Sequence, residues 1–404
     1  MGRARSLAIL LALGACARTP QPTPPAPAPA PAPDTAAAHQ LPIPPVEPAA
    51  PPRRYAPVRL AFVGDINLGT LTLPDGVPPD SGRSLFAAAR SALTGDLVVG
   101  NFEGVLADSG TTYKCDQTGR AVGGTAPPPE PEPSPSKPRR PAKPQLCYAF
   151  LTPTHLAGRL VDAGFSHLNL ANNHANDFGP EGRASTESVL QGLGLTVYGP
   201  MGQVAIDTVR RGDSLTVVGL IGFTTYPFAY DLLDIERSAA VVDSIRPLVD
   251  LLVVTFHGGA EGAMAVHTPE AAESLGREPR GELRRWARAV IDAGADAVIG
   301  HGPHVPRGIE FHQGKPIAYS LGNFLTYRGF NLTGPSGLTG VLQLEFDPDR
   351  RFVRGRLVPM VQLPLRGPLP DPDAATLDLV RRLSSEDFGP SGARVEPDGT
   401  ILAP

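Results

Sequence analysis

The feature that most constrains the fold is an apolar run near the middle of the chain. Residues 251–256 read Leu-Leu-Val-Val-Thr-Phe, with no alternation between polar and apolar positions. Such a run is typical of a strand in a parallel sheet whose two faces are both covered. Residues 283–291 follow with apolar side chains at helical spacing, and a second short apolar run occupies 297–299. This order of strand, helix and strand predicts an α/β fold.

The alternation of strands and helices extends over most of the chain. Helices are predicted at 84–93, 154–163, 180–191, 235–249 and 283–291, and strands at 58–63, 96–99, 167–170, 215–221, 251–256 and 297–299. Three further strands, at 316–321, 341–346 and 354–361, follow one another without helices between them. Because strands without a crossover helix pair antiparallel, we expect mixed sheets.

The N-terminal part has the pattern of an export signal followed by a spacer. Two arginines precede an apolar stretch at 7–13 that is too short to span a bilayer. Its end, residues 13–16 (Leu-Gly-Ala-Cys), resembles the lipobox of bacterial lipoproteins, which predicts lipidation of Cys16 and attachment to a membrane. An ordinary cleaved signal is the alternative. Residues 17–57 are rich in proline and alanine, a composition that predicts a disordered linker.

Composition and cysteine placement set the remaining boundaries. We expect one folded domain at 58–363, with a proline-rich insertion at 116–146 and a C-terminal tail at 364–404. The formal net charge is −4 and no basic stripe is visible, which argues against nucleic acid as a partner. Cys115 and Cys147 flank the insertion and predict a disulfide in an exported protein, with two free thiols as the alternative.

Polar side chains follow five of the predicted strands, at the point where each strand ends. In chain order they are Asp65 and Asn67, Asn101 and Glu103, Asn172 with Asn173 and His174, His257, and His301 with His304. Ligands in α/β sheets gather outside the carboxyl ends of the strands, so we expect these groups to converge. Their mixture of oxygen and nitrogen donors suits one or two divalent ions such as Mn²⁺, Zn²⁺ or Fe²⁺ better than Ca²⁺. Taken singly, each residue could instead form a turn, cap a helix or pack in the core.

Several of these segments, in this order, resemble the CapA family, bacterial proteins associated with poly-γ-glutamate capsule synthesis. The resemblance rests on residues 62–69, 100–103, 170–179, 256–259, 294–304 and 314–324, and the last two segments together are highly specific. The family belongs to the metallophosphatase-like superfamily. The resemblance therefore implies a four-layer αββα sandwich, in which two mixed sheets lie between layers of helices.

The resemblance also implies roles for individual residues. By analogy with the dinuclear phosphoesterases of the superfamily, Asp65 would be a terminal metal ligand and Glu103 the bridging carboxylate. The other implied ligands are Asn173, His257, His301 and His304. His174 would be the general acid that protonates a leaving oxygen. Further site residues are expected among the polar side chains of the matching segments: Asn67, Asn101, Asn172, Asp177 and Asn323.

The chain departs from the superfamily pattern at three places. The phosphoesterases carry Asp-x-His at the first strand, where this chain has Asp65 and Asn67. They carry Gly-Asp-x-x-Asp at the second strand, where it has Asn101 and Glu103. Their last two histidines are separated by one residue rather than two. Because a carboxamide is a poorer ligand than imidazole, one metal ion, two ions or none are all compatible with the sequence.

Three functions are compatible with these observations. The first is a lipid-anchored protein of the bacterial cell envelope (outer membrane or periplasm in a Gram-negative host) that acts in the synthesis or anchoring of an anionic capsule polymer such as poly-γ-glutamate, with a metal-competent site. Membrane proteins of capsule synthesis would then be its partners. The second is a metal-dependent hydrolase, most naturally a phosphoesterase. The third is a non-catalytic scaffold that binds the polymer.

Overall fold

The computed structural model of the protein describes residues 54–112, residue 114 and residues 148–404. All of them fall within the second of two units of the chain, residues 52–404. The predicted lipidation of Cys16, the linker up to residue 53, the whole insertion and the disulfide between Cys115 and Cys147 lie outside the described residues. Within the described residues, no helix is both long and apolar enough to cross a membrane.

Strands make up most of the regular structure. They are β1 (Val58–Asn67), β2 (Leu97–Phe102), β3 (Val105–Leu106), β4 (Leu151–Thr152), β5 (His167–Asn169), β6 (Thr196–Tyr198), β7 (Ala205–Arg211), β8 (Ser214–Thr224), β9 (Tyr230–Asp231), β10 (Leu251–His257), β11 (Glu273–Leu275), β12 (Glu278–Gly281), β13 (Ala297–His301), β14 (Ile309–His312), β15 (Lys315–Ala318), β16 (Asn323–Thr326), β17 (Leu338–Phe346), β18 (Phe352–Gln362), β19 (Pro368–Pro370), β20 (Arg394–Val395) and β21 (Thr400–Leu402). The α-helices are α1 (Gly158–Ala163), α2 (Gly179–Gly192), α3 (Ile235–Ile245), α4 (Leu283–Asp292) and α5 (Ala375–Phe388). Short 3₁₀ helices occupy Thr154–Leu156, Arg246–Leu248, Gly334–Gly337 and Gly389–Ser391.

In the described part of the chain the strands form two large mixed sheets and two small ones. The first large sheet has the order β20-β21-β18-β17-β1-β2-β5-β6, with β16 beside β1 and β19 beside β18. The second has the order β14-β15-β13-β10-β8-β7, with β9 beside β8. Neighbouring strands run parallel from β1 to β6 and from β8 through β10 and β13 to β15. The pair β17 and β18 is antiparallel, as the absence of a helix between these strands predicted.

The two large sheets face each other across a shared apolar layer. This layer takes Phe62 and Val99 from the first sheet and Leu220, Val253 and Ile299 from the second, all buried. Because side chains alternate along a strand, the neighbours of these residues point outward to two further apolar layers. A central strand is therefore buried at every position, which accounts for the largely apolar run at 251–256.

Helices cover the outward faces of both sheets. Outside the first sheet, Leu160 of α1 and Leu190 of α2 pack with residues of β1 and β2. Outside the second, Val242 of α3 and Trp286 of α4 pack with residues of β10 and β13. Full burial of one such large side chain contributes about 1.5–3 kcal/mol. The layers therefore follow the order helix, sheet, sheet, helix, which confirms the predicted αββα sandwich.

Two segments differ from the sequence-based expectation. Residues 84–93, predicted as a helix, form consecutive turns, because hydrogen bonds to the third residue back alternate with bonds to the fourth and no continuous α-helical ladder forms. Residues 364–404, predicted as a tail, contribute α5 and three strands to the domain. Leu377, Val380 and Ile401 are buried in the layer between the sheets, so the folded domain continues through residue 402.

Candidate metal centre

The carboxyl ends of the central strands of both sheets meet at one place, and Asp65 lies at its centre. The Asp65 side chain is fully buried near the end of β1. Its Oδ1 accepts a hydrogen bond from Asn101 Nδ2 at 2.8 Å and lies 3.5 Å from His301 Nδ1. Its Oδ2 lies 2.9 Å from His304 Nδ1. A carboxylate of the first sheet thus contacts two imidazoles of the second, from His301 at the end of β13 and from His304 just after it.

Glu103, which follows β2, is the second carboxylate of the pocket. Its side chain is fully buried, and neither carboxylate oxygen has a hydrogen-bond partner among the described residues. Its Oε1 lies 3.6 Å from His257 Nε2 and 3.8 Å from His304 Nε2. Burying a carboxylate without hydrogen bonds costs free energy of folding, so a positively charged partner would stabilise Glu103.

The electrostatics of the pocket agree with that conclusion. Burial, reinforced by the charge of Asp65, raises the pKa of Glu103 well above its usual range. Burial alone would lower the pKa of His304, but the carboxylates of Glu103 and Asp65 raise it to about 10. Burial also opposes ionisation of Asp65, yet the adjacent imidazoles of His301 and His304 hold its pKa below the usual range. In the absence of another cation, the proton on His304 is therefore the charge that balances the carboxylates.

The remaining pocket histidine, His257, is the last residue of β10 and is fully buried. Burial lowers its pKa well below the usual range, so the ring is neutral at physiological pH. Its Nδ1 lies 3.4 Å from Asn101 Nδ2, and its Nε2 has no hydrogen-bond partner among the described residues. A neutral imidazole with a free nitrogen is the form that binds metal ions.

The donor set therefore fits a divalent metal ion. One donor atom from each of Asp65, Glu103 and His304 lies within 4.8 Å of the other two. The unpartnered nitrogens of His257 and His301 lie against these carboxylates at 3.6 Å and 3.5 Å. Carboxylate oxygens combined with imidazole nitrogens suit borderline ions such as Mn²⁺, Fe²⁺ or Zn²⁺.

The backbone of the turn after β13 is adapted to this arrangement. His304 has φ +58°, a left-handed conformation that costs energy for a residue other than glycine. Gly302 has φ +111°, and a Cβ at this position would lie 2.6 Å from the carbonyl oxygen of Gly258. The turn can bring His304 against Asp65 only because glycine permits this close approach.

A network of carboxamides fixes the strand ends around the pocket. Asn101 Oδ1 accepts hydrogen bonds from Asn169 Nδ2 at 3.0 Å and from Asn172 Nδ2 at 3.1 Å. Asn172 Nδ2 also donates to the carbonyl of Phe102 at 2.8 Å. Since Asn101 in turn donates to Asp65, the network holds that carboxylate in place. Asn169 was not among the predicted site residues, although its place at the end of β5 was a signal for it.

Asn67 and Asn323 hold backbone segments of the pocket. Asn67 Nδ2 donates to the carbonyl of Glu103 at 2.8 Å, and its Oδ1 accepts from the Gly69 amide at 3.1 Å. Asn323 Nδ2 donates to the carbonyls of His304 at 3.1 Å and Ser336 at 3.2 Å. Both side-chain ends of Asn67 are therefore occupied, which suits positioning of Glu103 better than ligation.

The predicted ligand Asn173 and the predicted acid His174 lie beside this group. Asn173 Oδ1 is buried without a hydrogen-bond partner among the described residues, and its carbonyl accepts from Lys114 Nζ at 2.6 Å. His174 Nδ1 lies 2.8 Å from Asp177 Oδ2, and Lys114 forms an ion pair with Asp177. The Phe330 ring, which sequence reasoning also missed, joins the two sites, because its centroid lies 6.4 Å from the His174 ring and 5.3 Å from the His304 ring.

The protonation state of His174 follows from its surroundings. Burial lowers the pKa of His174, although the charge of Asp177 partly opposes this effect. Burial would raise the pKa of Asp177, but the charges and hydrogen bonds of His174 and Lys114 lower it. The resting pair is thus a neutral imidazole beside a carboxylate. That form accepts a proton at Nε2 more readily than it supplies one.

The fold and the pocket define the class of the protein, and its sequence is similar to a known protein family. Two facing mixed sheets between layers of helices, with polar groups at the carboxyl ends of the strands, form a metallophosphatase-like α/β sandwich. The family described as bacterial capsule synthesis protein PGA_cap matches residues 132–328. This match supports the resemblance to the CapA family seen in the sequence.

Individual relatives carry names of the same kind. The chain is 31% identical over 192 residues to the PGA biosynthesis protein CapA of Bacillus subtilis, which covers 44% of this chain and 47% of that protein. It is 30% identical over 195 residues to the capsule biosynthesis protein CapA of Bacillus anthracis, covering 44% of each chain. The match thus spans less than half the length of either relative. Among solved structures, a 5'-nucleotidase precursor from Thermus thermophilus aligns with a TM-score of 0.38 and 16% identity over 82% of this chain and 59% of that chain.

Proposed function

We propose that this protein acts in the synthesis or anchoring of an anionic capsule polymer such as poly-γ-glutamate, through a pocket that binds a divalent metal ion. The match to the capsule-synthesis family and the names of the two Bacillus relatives support the polymer. The composition of the N-terminal residues supports a place in the cell envelope, with Cys16 as the lipidated residue and residues 17–57 as the spacer.

One observation carries the metal-binding part of the proposal. Glu103 is fully buried, and both of its carboxylate oxygens lack a hydrogen-bond partner among the described residues. Three imidazoles surround Asp65 and Glu103 without satisfying Glu103. A cation held by Asp65, Glu103, His257, His301 and His304 would remove this cost. The donor chemistry favours Mn²⁺, Fe²⁺ or Zn²⁺.

Each pocket residue would have a separate role in binding an anionic ligand. When bound, the ion would supply a Lewis-acid centre for an anionic oxygen. Asp65 orients His304 through its hydrogen bond to Nδ1, so the Nε2 edge of that ring faces Glu103. Asn101 holds Asp65, and Phe330 packs edge-on against the His304 ring. Lys114, whose ammonium group is partly exposed, adds a positive charge beside Asn173.

The polymer role is tested in the host strain. Deletion of the gene should abolish or strongly reduce the surface polymer, measured chemically on washed cells. Wild-type protein and an Arg354→Gln variant should restore it, because Arg354 lies in an exposed ion pair on β18. An Asp65→Asn variant, expressed to the same level, should not restore it. A deletion strain with unchanged surface polymer would contradict the proposed role.

A metal-dependent hydrolase is the second candidate, and the arrangement around His174 favours it. His174 Nδ1 is held by Asp177, its ring lies one aromatic side chain away from His304, and the lowered pKa of His174 keeps Nε2 able to accept a proton. This is the geometry of a positioned general base, in which Asp177 fixes the tautomer. The general-acid role implied by the resemblance would instead require His174 to carry a proton against its lowered pKa.

The hydrolase is tested with the metal-loaded full-length protein on a panel of phosphoesters and γ-glutamyl amides. Turnover that falls at least about 100-fold in a His174→Ala variant, without a change in metal content, would support it. Identical turnover in the wild type and the variant would contradict the role of His174. Absence of turnover across the panel, with polymer binding retained, would leave a scaffold function in its place.

A further inference from the structure

The loop that follows β10 is held rigidly against the pocket by two buried arginines. Arg280 is fully buried, and its Nε donates to the carbonyl of Gly259 at 3.0 Å. Arg307 is 1% exposed and donates to the carbonyls of Ala260 at 3.3 Å and Ala265 at 2.8 Å. Its guanidinium is itself paired with Glu273, at 2.9 Å and 2.7 Å. A loop with its carbonyls bound on both sides presents its side chains in fixed directions.

Glu261 is the side chain that this loop presents to the pocket. Its Oε1 lies 2.5 Å from Arg280 Nη2, and its Oε2 lies 4.0 Å from His304 Nε2. The same His304 nitrogen lies 3.8 Å from Glu103 Oε1. The Nε2 edge of His304 therefore lies between two carboxylates, while its Nδ1 bonds to Asp65. The Glu261 side chain is 21% exposed, whereas those of Asp65 and Glu103 are buried, which places Glu261 on the solvent side of the pocket.

We infer that Glu261 is a further ligand of the metal pocket and that Arg280 is the residue that positions it. The inference rests on the proposed metal site and adds a third carboxylate at its outer side. The unpartnered oxygens of Glu103, which are fully buried, independently indicate that a cation belongs between these groups. A third carboxylate increases the affinity for a divalent ion, because affinity rises with the number of charged oxygen ligands.

The partners of Arg280 explain how Glu261 can serve both the arginine and an ion. Arg280 Nη1 donates to Glu278 Oε1 at 3.0 Å, and Glu278 also accepts from the Tyr226 hydroxyl at 2.7 Å. Arg280 therefore keeps one carboxylate and one backbone carbonyl even when Glu261 turns toward an ion. Only one oxygen of Glu261 is engaged by Arg280, so the other remains available to the pocket.

The test compares two carboxylates that share Arg280 but differ in their distance from the pocket. Full-length protein is stripped with chelator, dialysed and titrated with Mn²⁺ by calorimetry as wild type, Glu261→Gln and Glu278→Gln. The Glu261→Gln variant should bind Mn²⁺ at least about tenfold more weakly than wild type, because it loses a charged oxygen ligand. The Glu278→Gln variant should bind within about twofold of wild type, because the contacts of Glu278 in the described part of the chain are with Arg280 and Tyr226. Thermal unfolding of the chelated proteins checks that both variants fold.

Each other outcome is decisive. Mn²⁺ affinity of Glu261→Gln equal to that of wild type overturns the inference. So does an equal loss in both variants, because that result would assign the effect to the shared Arg280 network. An Asp65→Asn variant distinguishes failure of the role of Glu261 from failure of the proposed metal site. If wild type and Glu261→Gln bind Mn²⁺ equally well and Asp65→Asn does not bind it, only the role of Glu261 fails. If wild type does not bind Mn²⁺, the proposed metal site fails together with the role of Glu261.

Discussion

His304 Nδ1 lies 2.9 Å from Asp65 Oδ2, although 239 positions separate the two residues in the chain. Asp65 belongs to β1 of the first sheet, and His304 follows β13 of the second. The contact therefore joins the two sheets at the carboxyl ends of their central strands, where the carboxamide network and the other histidines also converge. The arrangement of the site depends on the packing of one sheet on the other.

Metal binding should release protons. His304, whose pKa is raised to about 10, holds a proton at neutral pH in the metal-free protein, and the raised pKa of Glu103 disfavours the ionised form that binds an ion. An ion must displace the His304 proton, so the affinity should rise with pH up to the pKa of His304 and fall as the pH is lowered. Calorimetric titrations with Mn²⁺ in two buffers of different ionisation enthalpy should differ by the heat of at least about one proton. Equal heats in both buffers would contradict this.

The buried pair of Asp177 and His174 should contribute to stability. Asp177 is 1% exposed and also holds Lys114 and the Phe150 amide, the latter at 2.8 Å. An Asp177→Asn variant should lose about 3 kcal/mol in free energy of unfolding, because Lys114 loses its counter-ion and the His174 ring and the Phe150 amide lose a buried carboxylate acceptor. The exposed Asp378→Asn change should have little effect. Urea unfolding measures both variants, and equal midpoints would contradict the expectation.

The same carboxylate predicts a pH dependence. Because the pKa of Asp177 is lower in the folded than in the unfolded protein, its contribution is fully present above the unfolded value of about 3.9. It is lost as the pH falls from there through the lower, folded pKa. Between neutral pH and acid, wild type should therefore lose more stability than Asp177→Asn. Parallel pH profiles for the two proteins would count against the assignment.

Gly64, which precedes Asp65, should not tolerate a side chain. A Cβ at this position would lie 1.9 Å from the carbonyl oxygen of Gly322, which accepts the Asp65 amide hydrogen bond at 2.9 Å. A Gly64→Ala variant should lose about 3 kcal/mol or more of stability and bind Mn²⁺ more weakly, because the backbone at Asp65 must move. Gly158→Ala, where nothing lies within 4 Å of the new Cβ, is the matched control. Wild-type stability of Gly64→Ala would show that the strand end is not packed as described.

Arg307 should be more important for stability than any surface arginine. Replacement by glutamine leaves Glu273, which is 8% exposed, without its two hydrogen bonds and frees the carbonyls of Ala260 and Ala265. The expected loss is about 3–5 kcal/mol in the free energy of unfolding. Arg354→Gln removes an exposed pair and should remain close to wild type. Similar unfolding midpoints for the two variants would contradict the role of Arg307.

Much of the fold could be predicted from the sequence because its strands are buried on both faces. The run at 251–256 is buried at every position and apolar except at Thr255, since alternate side chains enter two different cores, and the helices of the outer layers show their own spacing. The C-terminal strands could not be predicted, because β19, β20 and β21 are only two or three residues long and one contains two prolines. Residues 84–93 show helical spacing, but their hydrogen bonds do not form a continuous helix.

The candidate site could be predicted in part, for a related reason. Asp65, Glu103, His257, His301 and His304 each follow or end a strand, so their position in the sequence indicates their place at one edge of the fold. Glu261, Arg280 and Phe330 lie in loops or at a small hairpin, where local sequence does not determine what the side chain will contact. Their relation to the pocket comes from long-range packing alone.

The central claim is that Asp65 and His304 belong to one pocket that holds a cation. Equilibrium dialysis of the full-length protein against a low concentration of Mn²⁺, followed by elemental analysis, tests it most directly. Wild type should retain the ion, and Asp65→Ala and His304→Gly should each lose it, glycine being chosen because His304 has φ +58°. Wild-type protein without Mn²⁺, or retention of the same amount by both variants, would contradict the account.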